Sequence, residues 1–221
     1  MHGALAILRK DLRIEWRTRE SLTSFAALGV LLLVVFTVAH DPDPEAAPAL
    51  APAVLWATFV LTGLLGVQRS FLIERENDCL AGLLTAPIDP GAIYAGKLAA
   101  NIGLLAAMQA LVVPLVGLFL HVDLASVLPG LLLVLLLGNI GFAALATLFA
   151  AVAVRTRARE VMLPLLLLPL LTPLLIGAVV STRAVLAGGL AAAGQGLGVL
   201  VAFDVIFTVA GGLLFAYVVR D

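Results

Sequence analysis

Residues 124–154 read LASVLPGLLLVLLLGNIGFAALATLFAAVAV, without one charged side chain. A helix rising 1.5 Å per residue crosses the hydrocarbon core of a bilayer with about 20 apolar residues, and this stretch exceeds that length. Membrane β-strands would instead alternate apolar and polar positions, which the unbroken run Leu131–Leu137 does not do. Five further stretches have the same character: Leu22–Ala39, Ala49–Val67, Leu98–Leu120, Val161–Val180 and Leu197–Val219. The sequence therefore predicts an all-α polytopic membrane protein with six transmembrane helices.

Composition agrees. Of 221 residues, 62% are hydrophobic and 12% charged, with a mean hydropathy of +1.16. Soluble domains hold about 25% charged residues, and a water-soluble globule of this length has no way to hide so much apolar surface. A net charge of -1 excludes a broadly basic nucleic-acid surface. A single cysteine, Cys79, excludes an internal disulfide framework and any multi-cysteine metal site.

The basic residues set the orientation. Arg9, Lys10, Arg13, Arg17 and Arg19 precede the first span; Arg69, Arg75 and Lys97 follow the second; Arg155, Arg157 and Arg159 follow the fourth; Arg220 ends the chain. Only Arg183 falls on the other side. Positive charge stays cytoplasmic, so both termini are inside and the protein belongs in a cytoplasmic membrane as a multi-pass chain. The first span resembles a secretory signal in its basic lead. Its apolar run of 18 residues, Leu22–Ala39, nevertheless exceeds the 7–15 usual for such signals, so it is read as retained.

Outside the lipid the chain divides into an N-terminal segment, 1–21, and the permease-like region 22–221. In the first, Leu5, Leu8, Leu12 and Trp16 form one stripe beside the basic row Arg9, Arg13 and Arg17. That pattern suits an amphipathic helix at the inner membrane surface, or equally one packed against its own bundle or a partner. The longest loop, 68–97, reads QRSFLIERENDCLAGLLTAPIDPGAIYAGK. Glu74, Glu76 and Asp78 suit a helix N-terminus, Leu80, Leu83 and Leu84 follow at i, i+3, i+4, and Pro87 with Asp89-Pro90-Gly91 ends the pattern. A short amphipathic helix at about 74–86 is expected, either lying on the membrane or docking into a groove of another protein.

Gly91–Leu98 matches the phosphate-binding pattern GxxxxGK[ST] except at its last position. There the hydroxyl that holds magnesium is replaced by Leu98, and no strand precedes the motif. The chain is not expected to hydrolyse ATP itself.

Glu74-Arg75-Glu76, Leu80, Leu83-Leu84, Ala86-Pro87, Tyr94 and Gly96-Lys97 resemble the cytoplasmic loop of ABC-2-type permeases. The six spans, the segment Leu163-Pro164-Leu165 through Pro169 and Pro173, and Ala202-Phe203-Asp204-Val205-Ile206-Phe207 are similar to the heme exporter B permeases of bacterial cytochrome c maturation. Asp78-Cys79 departs from the Gly-Thr or Gly-Ser that many ABC-2 permeases carry before the leucines. The resemblance implies a permease subunit coupled to a separate cytosolic ABC ATPase through Glu74, Arg75, Glu76, Leu80, Leu83, Leu84, Pro87 and Lys97. It also implies a second copy of the chain, other cytochrome c maturation membrane subunits and a haem chaperone as partners. ATP would act through the partner subunit, and the complex is where haem would be held. The complex either moves haem or uses ATP to release a haem-loaded chaperone. The alternative is an ABC-2 exporter for a lipid, a glycan or a drug; an ion-coupled carrier is disfavoured because no inverted repeat is evident.

Within the spans, Asp204 is the one deep acid, either mechanistic or structural, and Arg183 is its conceivable partner. Asn101, Gln109 and Asn139 are expected to bond across helices. Pro164, Pro169 and Pro173 are helix-break candidates and make the fifth span the expected kinked or re-entrant element. The glycines from Gly188-Gly189 to Gly198 should let the chain turn back into the membrane. His40 and His121 sit at outer span ends, where interfacial capping and haem ligation are the two readings; no metal site is expected.

Overall fold

A computed structural model of the chain describes residues 4–5, 7–10, 13, 20–39, 47–76, 89–153 and 159–220. Among these, six α-helices follow one another: α1 (Glu20–Ala39), α2 (Ala47–Glu76), α3 (Pro90–Phe119), α4 (Leu128–Ala153), α5 (Arg159–Gly188) and α6 (Gly194–Arg220). Residues 4–5, 7–10 and 13 are also helical. Five stretches are long and apolar enough to span a bilayer: Ala49–Val67, Pro90–Phe119, Leu128–Phe149, Leu165–Gly188 and Leu190–Phe215. The remaining apolar helix, Ala26–Ala39, is shorter. It lies within α1, whose 20 residues rise about 30 Å.

Hydropathy marks where lipid ends, and the helices continue past it. α2 has 30 residues, about 45 Å, and carries Gln68–Glu76 beyond its apolar part. α3 begins at Pro90, not at Leu98. Pro at a first helical position is pre-organised and lacks only a donor that would be orphaned anyway, and the Asp89 carbonyl accepts from Ala92 N–H at 2.9 Å and Ile93 N–H at 3.2 Å. Asp89-Pro90-Gly91 therefore starts a helix. Much of the expected loop 68–97 is helical shaft, and what separates the two helices is 77–88, which lies outside the described residues.

α4 is the hub. It packs against α6, α5, α3 and α2, and the spanning windows of α2 and α4 are each 72% buried, against 22% for the last window. Two glycines one turn apart create the close approaches. Gly138 lies under the Trp56 indole of α2, and Gly141 lies under Asp204 and Phe203 of α6 and Leu174 of α5. Trp56, Phe59 and Phe142 join α2 to α4 edge-to-face, with centroids 5.4 Å apart in each pair. Polar side chains then cross-link the apolar bundle, as expected for Asn101, Gln109 and Asn139. Asn101 Nδ2 donates to Thr147 Oγ1 at 2.8 Å, Gln109 Nε2 to Leu135 O at 3.4 Å, and Asn139 Nδ2 to Ile102 O at 3.2 Å. Trp56 Nε1 adds a bond from α2 to Thr182 Oγ1 of α5 at 2.9 Å.

α5 runs as one helix of 30 residues through Pro164, Pro169 and Pro173, so the prolines do not divide it into separate helices. Pro169 and Pro173 lie on the exposed face of α5, so their rings meet no neighbouring helix. The turn back into the bundle comes where the glycines predicted it. Gly189 adopts φ 74, a conformation open to glycine at little cost, and the short 3-10 turn Leu190–Ala193 leads into α6.

Candidate functional site

The cytosolic end, so assigned by its arginines, is built around the start of α3. Ile93 and Tyr94 project from its first turns and are 1% and 3% exposed. With Ile7 of the N-terminal segment and Phe215 near the end of α6 they form a separate apolar cluster. Gly96 meets the Ala4 carbonyl and Ile7 Cβ, so close that an added Cβ would stand 2.9 Å from the former and 3.0 Å from the latter. On α6, Gly211 leaves a notch filled by the Tyr94 ring and hydroxyl, and Tyr94 and Phe215 rings lie 5.6 Å apart. The Tyr94 O–H also points to Ala144 O of α4 at 3.5 Å, the outer limit of a hydrogen bond.

Of the two readings of the N-terminal segment, packing against its own bundle is present. Its anchor is Ile7, which falls outside the predicted stripe. Leu5, Arg9 and Arg13 are exposed and Leu8 is half-buried, an arrangement that leaves apolar and basic groups for a lipid headgroup region. Leu12, Trp16 and Arg17 lie outside the described residues.

The expected coupling residues separate into three groups. Glu74, Arg75 and Glu76 form the last turn of α2. Leu80, Leu83, Leu84 and Pro87 lie outside the described residues, as does Cys79. Lys97 is buried within α3 at 3% exposure, so it is not on the loop surface, and the expectation that it faces an ATPase is corrected. The reason is register: Pro90 starts the helix early enough to place Lys97 inside the bundle. Gly91–Leu98 is likewise helical and offers no phosphate cradle.

Asp204 lies ten residues into α6, about 15 Å along the axis and so near the middle of a hydrocarbon core about 30 Å thick. It is buried with its carboxyl oxygens against the Gly141 backbone, and among the described residues neither oxygen has a hydrogen-bond partner of good geometry. Arg183 is exposed on α5, so the Asp204–Arg183 pair does not form. Their depths differ: Arg183 is only a turn and a half from the outer end of α5, whereas Asp204 is nearly three turns into α6. Thr208, one turn further along the same face, also has a buried hydroxyl without a partner. Thr37, Thr62 and Thr172 instead bond back to a carbonyl of their own turn, as Thr62 does to Thr58 O at 2.7 Å, whereas the Thr58 hydroxyl likewise lacks a partner among the described residues.

Comparison with known families gives a match of residues 2–220 to the family described as CcmB protein. The chain belongs to the CcmB family. Heme exporter protein B of Paracoccus denitrificans is 35% identical over 173 residues, covering 77% of this chain and 78% of its own. The protein of that name from Rhodobacter capsulatus is 32% identical over 171 residues, with 77% and 78% covered. That from Bradyrhizobium diazoefficiens is 30% identical over 193 residues, with 85% and 84% covered.

As a CcmB-family protein with these spans, the chain is a multi-pass protein of the bacterial inner membrane. Its His121 has an evident structural task. The residue has φ 52 and follows the C-cap Leu120, while Val122 N–H bonds back to Gly117 O at 3.1 Å. This closes the end of α3 with a left-handed residue in the place usually held by glycine. His40 lies outside the described residues. Among the described residues, no three His, Cys, Asp or Glu side chains gather as a metal site.

Sequence reasoning missed Ile7 and the knob-and-notch of Tyr94 and Gly211. The available sign was the bulky, polar-tipped Tyr94 beside Ile93 in a stretch rich in Ala and Gly, about one turn before the apolar run at Leu98.

Proposed function

We infer that this chain is the membrane permease subunit of an ABC complex that serves haem export in bacterial cytochrome c maturation, with ATP hydrolysed on a separate cytosolic subunit. The observation that carries the reading is the family match across 2–220, together with relatives named heme exporter protein B. In this reading the ATPase docks on the leucines of 77–88, held between two helices that both reach out of the bilayer. Closure of two ATPase subunits on two copies of the chain then pushes the ends of α2 and α3. Other membrane subunits of the maturation system and a haem chaperone meet the complex at its outer face.

Within this role the complex acts as a mechanical transducer that releases a haem-loaded chaperone. Haem carries two anionic propionates, and a path for them calls for cationic lining. The buried polar side chains among the described residues are Thr58, Thr62, Asn101, Gln109, Asn139, Thr147, Ser181, Thr182 and Asp204, with Lys97 as the one buried cation. That cation sits at the cytosolic end of α3, away from the middle of the membrane.

The test is co-purification from mild detergent. The wild-type chain should bring down an ABC ATPase and support holocytochrome c formation. Leu83→Asp and Leu84→Asp should lose the ATPase while the chain stays in the membrane. Retention of the ATPase and of cytochrome formation by both variants refutes the docking site. ATP-driven haem accumulation in vesicles holding the wild-type complex refutes the transducer.

A further inference from the structure

We propose that Tyr94 is the positioning residue that carries displacement of the cytosolic start of α3 into α6, through its fit in the Gly211 notch. The proposal rests on the reading above, in which an ATPase pushes the ends of α2 and α3. Tyr94 stands four residues after Pro90, on the first turns of α3, so a push on the start of that helix reaches it through rigid helix. Its ring is 3% exposed and enclosed on three sides: Gly211 and Phe215 of α6, Ile93 of its own helix, and beyond them Ile7 of the N-terminal segment. Any Cβ at Gly211 would collide with the ring and hydroxyl. A knob seated without free space obliges the two helices to move together, because close-packed interiors shift between discrete arrangements and do not compress.

The path continues along one face. Phe215, Gly211, Thr208 and Asp204 recur at spacings of 4, 3 and 4, which aligns them on a single stripe of α6. Phe215, Gly211 and Asp204 are buried, and Thr208 and Asp204 bear oxygens without partners. The notch lies seven residues, about 10 Å, below Asp204. Movement of α6 at Gly211 therefore shifts the Asp204 carboxyl relative to the Gly141 backbone near the centre of the membrane, a contact that no side chain among the described residues locks in place. On the other side, Gly96 against Ala4 ties the N-terminal segment to the same turn of α3, so the start of α3 is coupled to α6 and to the membrane-surface segment together.

The experiment compares Tyr94→Ala, Tyr94→Phe and Gly211→Ala in the complete complex, reading three quantities: bound ATPase, ATP hydrolysis, and holocytochrome c formed. Tyr94→Phe keeps the ring and should behave as wild type, since its hydroxyl bond is at the limit of length. Tyr94→Ala should keep the ATPase bound and hydrolysing while holocytochrome c per ATP hydrolysed falls about fivefold or more, the lower range of coupling between distant sites. Gly211→Ala should give the same uncoupling by expelling the ring. Normal yield per ATP in Tyr94→Ala or Gly211→Ala overturns the proposal. So does a defect in Tyr94→Phe equal to that of Tyr94→Ala. Failure of both Tyr94→Ala and Gly211→Ala to assemble overturns it as well, because that outcome makes Tyr94 a packing residue only. Loss of ATPase binding by Leu83→Asp is scored separately, so failure of the docking site and failure of the Tyr94 linkage are distinguishable.

Discussion

Gly141→Ala is the substitution on which the α4-centred packing stands or falls. An added Cβ would lie 2.5 Å from Asp204 Oδ1, 2.6 Å from Leu174 Cδ1 and 2.9 Å from Phe203 Cδ1. Non-bonded heavy atoms rest about 3.5–4.0 Å apart, so α5 and α6 must each retreat by about 1 Å or the side chains must leave their rotamers. Overpacking of this kind costs about 1–3 kcal/mol. Gly29 of α1 provides the control, because there the nearest neighbour of an added Cβ is Val112 Cγ2 at an ordinary 3.6 Å. Gly29→Ala should gain the helical advantage of alanine, about 0.5–1 kcal/mol. The two variants thus shift stability in opposite directions, and thermal unfolding of the purified chain in detergent should separate their midpoints by several degrees, at about 2–4 °C per kcal/mol for a chain of this size. Equal midpoints, or a Gly141→Ala protein more stable than wild type, would refute the close approach of α6 to α4 at Asp204.

Three further outcomes follow from the polar groups. Asp204→Asn should leave the thermal midpoint nearly unchanged, since the amide is isosteric and no side-chain partner among the described residues is lost; a fall of several degrees would reveal a partner for the carboxyl. A double-mutant cycle of Asn101→Leu with Thr147→Val should give a coupling of about 0.6 kcal/mol and at most about 1.7, read from the same unfolding curves; zero coupling would refute the α3–α4 bond. His121→Gly should stabilise the chain by up to about 1 kcal/mol by relieving the left-handed backbone at the end of α3; destabilisation would show that the imidazole makes a contact of its own.

The six helices were legible because each apolar run is longer than any soluble element needs, and the bilayer admits few structures besides helices. The glycine turn at Gly189 and the interhelical roles of Asn101, Gln109 and Asn139 were legible for similar reasons: small or polar residues inside lipid have few tasks. Helix ends were less so. Gln68–Glu76 is polar and was read as loop, yet nothing in it opposes helix, so α2 runs on through water. Lys97 was misplaced by the same reading. Pro169 and Pro173 read as breaks because one span holds several prolines, yet the helix continues through them with their rings on its exposed face. Asp204 was singled out correctly as the deep acid, but its neighbour Gly141 and its lack of a partner depend on how α4 and α6 meet. The pairing of Tyr94 with Gly211 joins residues more than a hundred positions apart, and only the fold brings them together.

The turn at Gly189 bears on how the chain is made. With one left-handed glycine and a four-residue 3-10 segment between them, α5 and α6 have no slack to enter the bilayer far apart. They leave the insertion machinery as a helical hairpin, α6 arriving beside a wall of protein already in place. An aspartate at mid-span adds about 2.5–3.5 kcal/mol to the cost of inserting a lone helix. Delivered as the second arm of a hairpin, Asp204 turns toward α4 and meets Gly141 instead of bare acyl chains, so the shortness of that turn safeguards the biosynthesis of the one segment least suited to enter lipid alone.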